Sequence, residues 1–205
     1  MASLSGIISL QEAMNGDTLS IPSINRQQLE LGPIVEYTPR HKCHYQPISY
    51  GGQKLRIQTP AVKMTSLIYH TYSCGDAILI SISKWLRQQF NILDEFVRTT
   101  FTIPKKLKCK FLNTDHLYKP IQDGENIYLI MDETCTMTQD TEDGIVEITP
   151  KSRPSFGEGH YSLAIEFSHV YIGYHYLGHL YSVNYRVKHV HFKPLSYCSS
   201  THNES

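Results

Sequence analysis

His160-Tyr161-Ser162-Leu163-Ala164-Ile165-Glu166-Phe167-Ser168-His169-Val170, followed after a short gap by Gly178-His179-Leu180-Tyr181-Ser182-Val183-Asn184-Tyr185-Arg186-Val187-Lys188-His189-Val190-His191-Phe192, alternates apolar and polar residues over two long runs. A period of two marks strands, because successive side chains point to opposite faces. Gly173-Tyr174-His175-Tyr176-Leu177-Gly178 supplies the turn, so the pair is predicted to be a long C-terminal β-hairpin. From Tyr185, odd positions give Tyr185, Val187, His189 and His191, and even positions give Arg186, Lys188, Val190 and Phe192. Neither set is purely apolar, as expected of a barrel strand with one face beside a groove.

Upstream, Asp140 to Gly144 reads as a turn and Ile127 to Met131 as a strand. Trp85, Leu86, Phe90, Leu93, Phe96 and Val97 recur at helical spacing, which predicts a helix over about 83–98 with Trp85 in the core. Ala77 to Ile82 before it has a strand signal. Residues 34–72 read as strands: Gly51-Gly52 makes a turn, Leu55 to Thr59 alternates, Pro60 stops the run, and Thr65 to Tyr72 follows. Residues 1–33 look like an N-terminal arm, either packed on the domain or reaching a neighbouring subunit. Residues 34–195 form one mainly β domain, and 196–205 a flexible polar tail.

A chain of 205 residues can bury a sizeable core without disulfides or metals. Its five Cys (43, 74, 109, 135, 198) are odd in number and widely spaced, which reads as reduced intracellular thiols. No run is apolar enough for a membrane helix, and the N-terminus has no signal-peptide pattern, so no membrane partner is expected. Nineteen basic residues balance nineteen acidic ones, but unevenly. Lys105, Lys106, Lys108, Lys110 and Lys119 crowd one segment, whereas 121–147 holds eight acidic residues and no Lys or Arg. Such a chain is polarised, and its neutral total does not exclude a polyanion partner. Eleven His would add positive charge near pH 6 if they protonate, so tighter polyanion binding at pH 6 than at pH 8 is expected.

Catalytic signatures are weak. His41-x-Cys43-His44 is the tight His/Cys cluster, but it lacks the second ligand pair of a zinc site. No Cys sits in a nucleophile signature, and Gly157-Glu158-Gly159 lacks the third Gly and the helix of a phosphate loop. His189-x-His191 puts two rings on one strand face, which suits a metal, a phosphate or plain solvation. The terminal hairpin interleaves Tyr with Arg, Lys and His, and rings for stacking beside cations for the backbone are what single-strand binding requires.

Three segments, taken together, resemble a known family. Pro47-Ile48-Ser49-Tyr50-Gly51-Gly52-Gln53-Lys54-Leu55-Arg56-Ile57-Gln58-Thr59-Pro60 is the most specific of them. Ile80-Ser81-Ile82 leads into a helix bearing Phe90, Leu93, Asp94 and Val97, and Val170-Tyr171-Ile172-Gly173 leads through Gly178 to Val190. In order and spacing they resemble the single-stranded DNA-binding protein family of nucleocytoplasmic large DNA viruses, itself similar to the phage-type OB-fold proteins. The resemblance covers about residues 35–193. One departure concerns the C-terminus: phage-type members end in a strongly acidic tail that recruits replication proteins, whereas here 196–205 is Ser-rich with one Glu.

The resemblance implies an OB-fold-like barrel with an inserted helix. It implies largely sequence-independent binding of single-stranded DNA in viral replication, recombination or repair, without catalysis, metal or other cofactor. The implied setting is an infected host cell, at a nuclear or cytoplasmic replication site. The implied partners are single-stranded DNA, replication proteins and further copies in a homo-oligomer. Matching the motif points to Tyr50, Arg56, Tyr185 and Arg186. Charge and aromaticity add Lys105, Lys106, Lys108, Lys110 and Lys188 for phosphates, and Tyr69, Tyr72, Tyr118 and Tyr174 for stacking. Gln58, Thr59 and Pro60 are read as closing a strand. The rival expectation is a scaffold or minor virion β-protein that self-assembles without binding DNA.

Overall fold

The computed structural model describes residues 20–21, 23–38, 43–64, 68–72, 75–102, 118–121, 124–149, 156–173 and 181–195. In chain order its strands are β1 (Ser20–Ile21), β2 (Leu29–Leu31), β3 (Val35–Thr38), β4 (Cys43–Tyr50), β5 (Gln53–Gln58), β6 (Val62–Met64), β7 (Ile68–Tyr72) and β8 (Gly75–Ser81). The helix α1 (Lys84–Thr100) follows, then β9 (Tyr118–Lys119), β10 (Asn126–Thr141), β11 (Gly144–Ile148), β12 (Gly159–Ile172) and β13 (Tyr181–Pro194).

The fold is mainly β, with one α-helix among the described residues. Its centre is the hairpin β12–β13, paired antiparallel from Gly159↔Pro194 to Ile172↔Tyr181. The turn expected at 173–178 falls largely outside the described residues. On its other edge β12 meets β6, β5 and β4 in succession, all antiparallel. On the far edge of β13 lies β10, paired parallel. The main path of this mixed sheet runs β1-β5-β4-β12-β13-β10-β8-β7. Pairing of β1 with β7, which would close it, is absent among the described residues.

Local chemistry explains the joins. Gly51 and Gly52 have φ of 54° and 77°, which makes Tyr50-Gly51-Gly52-Gln53 a two-residue hairpin of the kind that matches strand twist. Thr59 ends β5: its N–H donates to the Leu163 carbonyl at 2.8 Å, and its Oγ1 accepts from the Leu163 N–H at 2.9 Å. Ser83 caps α1, its hydroxyl accepting from the Leu86 N–H at 3.2 Å. Leu86, Phe90, Leu93, Phe96 and Val97 form the buried stripe of α1, while Trp85 is half-buried at its margin rather than in the core. Phe90 packs against Phe167 and Tyr185 at centroid distances of 6.0 and 6.1 Å. Fully burying one such ring stabilises the fold by roughly 1.5–3 kcal/mol.

Two boundaries differ from expectation. The strand expected over Ile127–Met131 continues to Thr141, because it changes partner from β8 to β13 and β11 and so stays paired throughout. The expected arm is in part built into the domain: β1 pairs with β5, β2 pairs with β4, and Ile24 and Leu29 are buried. Residues 1–19 and the tail 196–205 lie outside the described residues.

Two buried polar side chains on α1 anchor incoming chain. Gln89 accepts the Ile24 N–H at 2.7 Å. Asp94 accepts the Ile121 N–H at 3.1 Å and the Tyr118 hydroxyl. Burial raises the Asp94 carboxyl above its ordinary value, against the pull of those hydrogen bonds and of Arg98.

Candidate nucleic-acid interface

Paired residues on neighbouring strands share a face of the sheet. The register Arg56↔Glu166↔Arg186 across β5, β12 and β13 therefore puts all three on one face, while Leu55↔Phe167↔Tyr185 lies on the other, beneath α1. The two faces are called outer and inner below.

Two bulges decide what each face displays. The register of β12 against β13 shifts between Ala164 and Ile165, with Lys188 as the extra residue. The inner side of β13 therefore reads Tyr185, Val187, Val190 and Phe192, and its outer side reads Arg186, Lys188, His189 and His191. The mixed alternation in the sequence has this cause, not a half-polar barrel face. A second shift, at Ser168, turns His169 and Tyr171 outward, level with Asn184 and Ser182 of β13 and with Pro47 and Tyr45 of β4.

The outer face is electrically dense. Arg56 Nε lies 2.6 Å from Glu166 Oε2, with side chains only 15% and 10% exposed. Lys188 Nζ lies 2.9 Å from Asp132 Oδ2 and 4.0 Å from Glu166 Oε1. Burial alone would raise Asp132, but the Thr134 hydroxyl, Lys188 and the Thr134 N–H outweigh it and hold the carboxyl at about 2. Acidic β10 thus neutralises basic β13 within the molecule, and much of the charge asymmetry along the sequence cancels in space. Among the described residues Arg186 makes no ion pair.

Between β10 and β13 runs a ladder of side-chain hydrogen bonds. Thr136 Oγ1 meets His189 Nδ1 at 2.7 Å, Thr138 Oγ1 meets His189 Nε2 at 3.1 Å and His191 Nδ1 at 2.9 Å, and His191 Nε2 lies 3.3 Å from Asp140. With neutral rings one proton order satisfies every partner: His191 Nε2–H donates to Asp140, the Thr138 hydroxyl donates to His191, His189 Nε2–H donates to Thr138, and the Thr136 hydroxyl donates to His189. His189 is 1% exposed, so it is not a solvated strand face. Burial, aided by neighbouring His191, pushes His189 down to about 4. Burial also lowers His191, against the pull of Asp140. His169 is lowered by burial and then by Arg186. These three rings do not carry charge at pH 6, contrary to the expected positive swing.

At the β4 end of the outer face His44, Tyr45, His169, Tyr171 and Asn184 line a groove of about 420 Å3. Tyr45 and His169 meet edge to face, with centroids 5.6 Å apart. The sequence reading missed these residues, because strict alternation from Phe167 places His169 and Tyr171 on the inner side.

The expected site residues do not gather at one place. Arg56, Arg186 and Lys188 share the outer face. Tyr185 is on the inner one, its ring against Phe90 and Phe167, so a base cannot reach it there. Tyr118 is spent on Asp94, with Arg98 5.2 Å from its ring centre. Tyr50 packs against the core, and its hydroxyl accepts the Asn25 N–H at 3.3 Å. Tyr69 and Tyr72 lie on β7, opposite Ile78 and Gly75 of β8. Lys105, Lys106, Lys108, Lys110 and Tyr174 lie outside the described residues, as does His41 of the His/Cys cluster. Cys135 is buried, and burial pushes its thiol up to about 12, which leaves it inert.

Compared with protein-family models, with curated proteins and with solved structures, the chain matches none.

Proposed function

We propose that the protein binds single-stranded DNA, without catalysis, through the outer face of its central sheet. The observation that carries this reading is the ring-lined groove of Tyr45, His169 and Tyr171 two strand positions from unpaired Arg186. Rings supply faces for bases, and a free guanidinium supplies a phosphate contact. The resemblance of 35–193 to the viral single-stranded DNA-binding family supports the same reading, and with it an OB-type barrel and a role in viral DNA replication, recombination or repair. Arg56 and Lys188 then act mainly as scaffolding, since Glu166 and Asp132 hold them.

The test is anisotropy of a labelled single strand at several salt concentrations, with duplex competitor. Affinity that falls linearly with log salt and resists duplex is the expected result, and Arg186→Met should flatten the slope by about 0.7. Replacing Lys105, Lys106, Lys108 and Lys110 by Glu should weaken binding and lower the slope further; an unchanged slope removes that segment from the interface. No binding at low salt would remove the reading altogether.

One observation favours the rival reading. On edge strand β11 Ile145 and Val146 are 48% and 42% exposed, and among the described residues β11 pairs only with β10. An open apolar edge is a template for strand pairing between copies. Sedimentation of Val146→Lys against the parent chain separates the two readings: a scaffold loses its assembly, whereas a strand binder keeps its affinity.

A further inference from the structure

We propose that the outer-face groove is a slot for a single adenine nucleotide, with the base among Tyr45, Tyr171 and His169, its edge paired to the Asn184 carboxamide, and its phosphate on Arg186. This rests on the strand-binding reading and adds to it a preference at one position.

The chemistry is complementary on each side of the groove. At about 420 Å3 it falls in the range of small-molecule sites, roughly 300–1,000 Å3. The Asn184 side chain makes no hydrogen bond among the described residues, so one donor and one acceptor remain to be satisfied. A carboxamide pairs in bidentate fashion with the amine and ring nitrogen of adenine. His169 is oriented by Ser168, whose Oγ lies 2.9 Å from its Nδ1, and its Nε2 has no partner among the described residues. Held neutral, that ring offers a stacking edge and one hydrogen bond without adding charge. His44 also lines the groove, and its buried Nδ1 is without a hydrogen-bond partner. A buried polar atom of this kind points to a polar ligand. Arg186 lies two residues from Asn184 on the same face, roughly 7 Å along the strand, which suits a phosphate adjoining the base.

The same chemistry is present in a free nucleotide and in a nucleotide within a strand, so the experiment uses both. Binding of oligo-dA, oligo-dT and oligo-dC of equal length is measured by anisotropy, and dAMP by calorimetry, for the parent chain, Asn184→Leu and Arg186→Met. Thermal melting confirms that each variant is folded, and Asn184→Asp serves as the small variant if Asn184→Leu melts early. The slot predicts that oligo-dA binds about ten-fold tighter than oligo-dT, that the Asn184 variant removes the preference while keeping oligo-dT affinity, and that Arg186→Met weakens all three. Equal affinities in the parent chain, or a preference that survives loss of the carboxamide, overturn it and leave strand binding intact. If dAMP binds, and binds more weakly to the Asn184 variant, while no oligonucleotide binds, the slot stands and the strand-binding reading falls. If neither binds, both fall.

Discussion

The two faces of the central sheet are built from the same strands yet obey different rules. The inner face is closed. Phe167, Tyr185 and Phe90 interlock beneath α1, and the polar groups admitted there, Gln89 and Asp94, hold chain segments in place. The outer face is open and largely self-neutralised, with Arg56 on Glu166, Lys188 on Asp132, and two imidazoles threaded between threonines. What differs is access: a tyrosine on the inner face is a packing residue whatever its chemistry, and one on the outer face is free to meet a ligand.

The sharpest way to break the comparison is to empty the inner face. Phe167→Ala should cost about 3–5 kcal/mol, read as a lower urea midpoint, while the fraction that remains folded binds a labelled strand as before. A loss of affinity at full stability would place Phe167 in a site instead. Next comes Arg56→Met, which strands the Glu166 carboxylate at the sheet surface and should cost about 3 kcal/mol; Arg56→Met with Glu166→Leu should recover most of it. If the single change is silent in stability and severe in DNA affinity, Arg56 touches phosphate and the outer face is less self-neutralised than described.

A third prediction concerns pH. His189 binds a proton less well folded than unfolded, its value falling from 6.5 to about 4. Its contribution is therefore fully present above pH 6.5 and lost as pH falls toward 4, by up to roughly 3 kcal/mol. Urea midpoints across that window should drop, and His189→Gln should flatten the drop; a flat profile in the parent chain contradicts the buried ladder. The smallest effects sharpen the contrast most. Tyr171→Ala on the outer face should cost about 1–3 kcal/mol of strand affinity, whereas Tyr185→Phe on the inner one should cost none.

Much of the fold was legible in the sequence. The hairpin alternation, the helical stripe from Leu86 to Val97 and the Gly51-Gly52 turn are local signals, and each matches an element. The candidate site was much less so. Selecting Tyr185 and Arg186 together ignored that neighbours on a strand face opposite ways. Tyr50 and Tyr118 carry no local sign that they are spent on Asn25 and Asp94, contacts 25 and 24 residues away. His169 and Tyr171 were hidden by the bulge at Ser168, and nothing in a two-residue period announces a bulge. The block of eight acids looked like a separate face because its pairing with β13 is a long-range parallel match that composition does not reveal.

The bulges at Ser168 and Lys188 also change which errors the molecule tolerates. Most substitutions in β13 alter one side chain and leave its neighbours where they were. Deleting Lys188 alone would restore plain alternation and turn the rest of the strand over, sending Val190 and Phe192 to the solvent side and His189, His191 and Lys193 toward the core. At these two positions the count of residues carries more information than their identity, so a missing codon there is a graver lesion than a changed one.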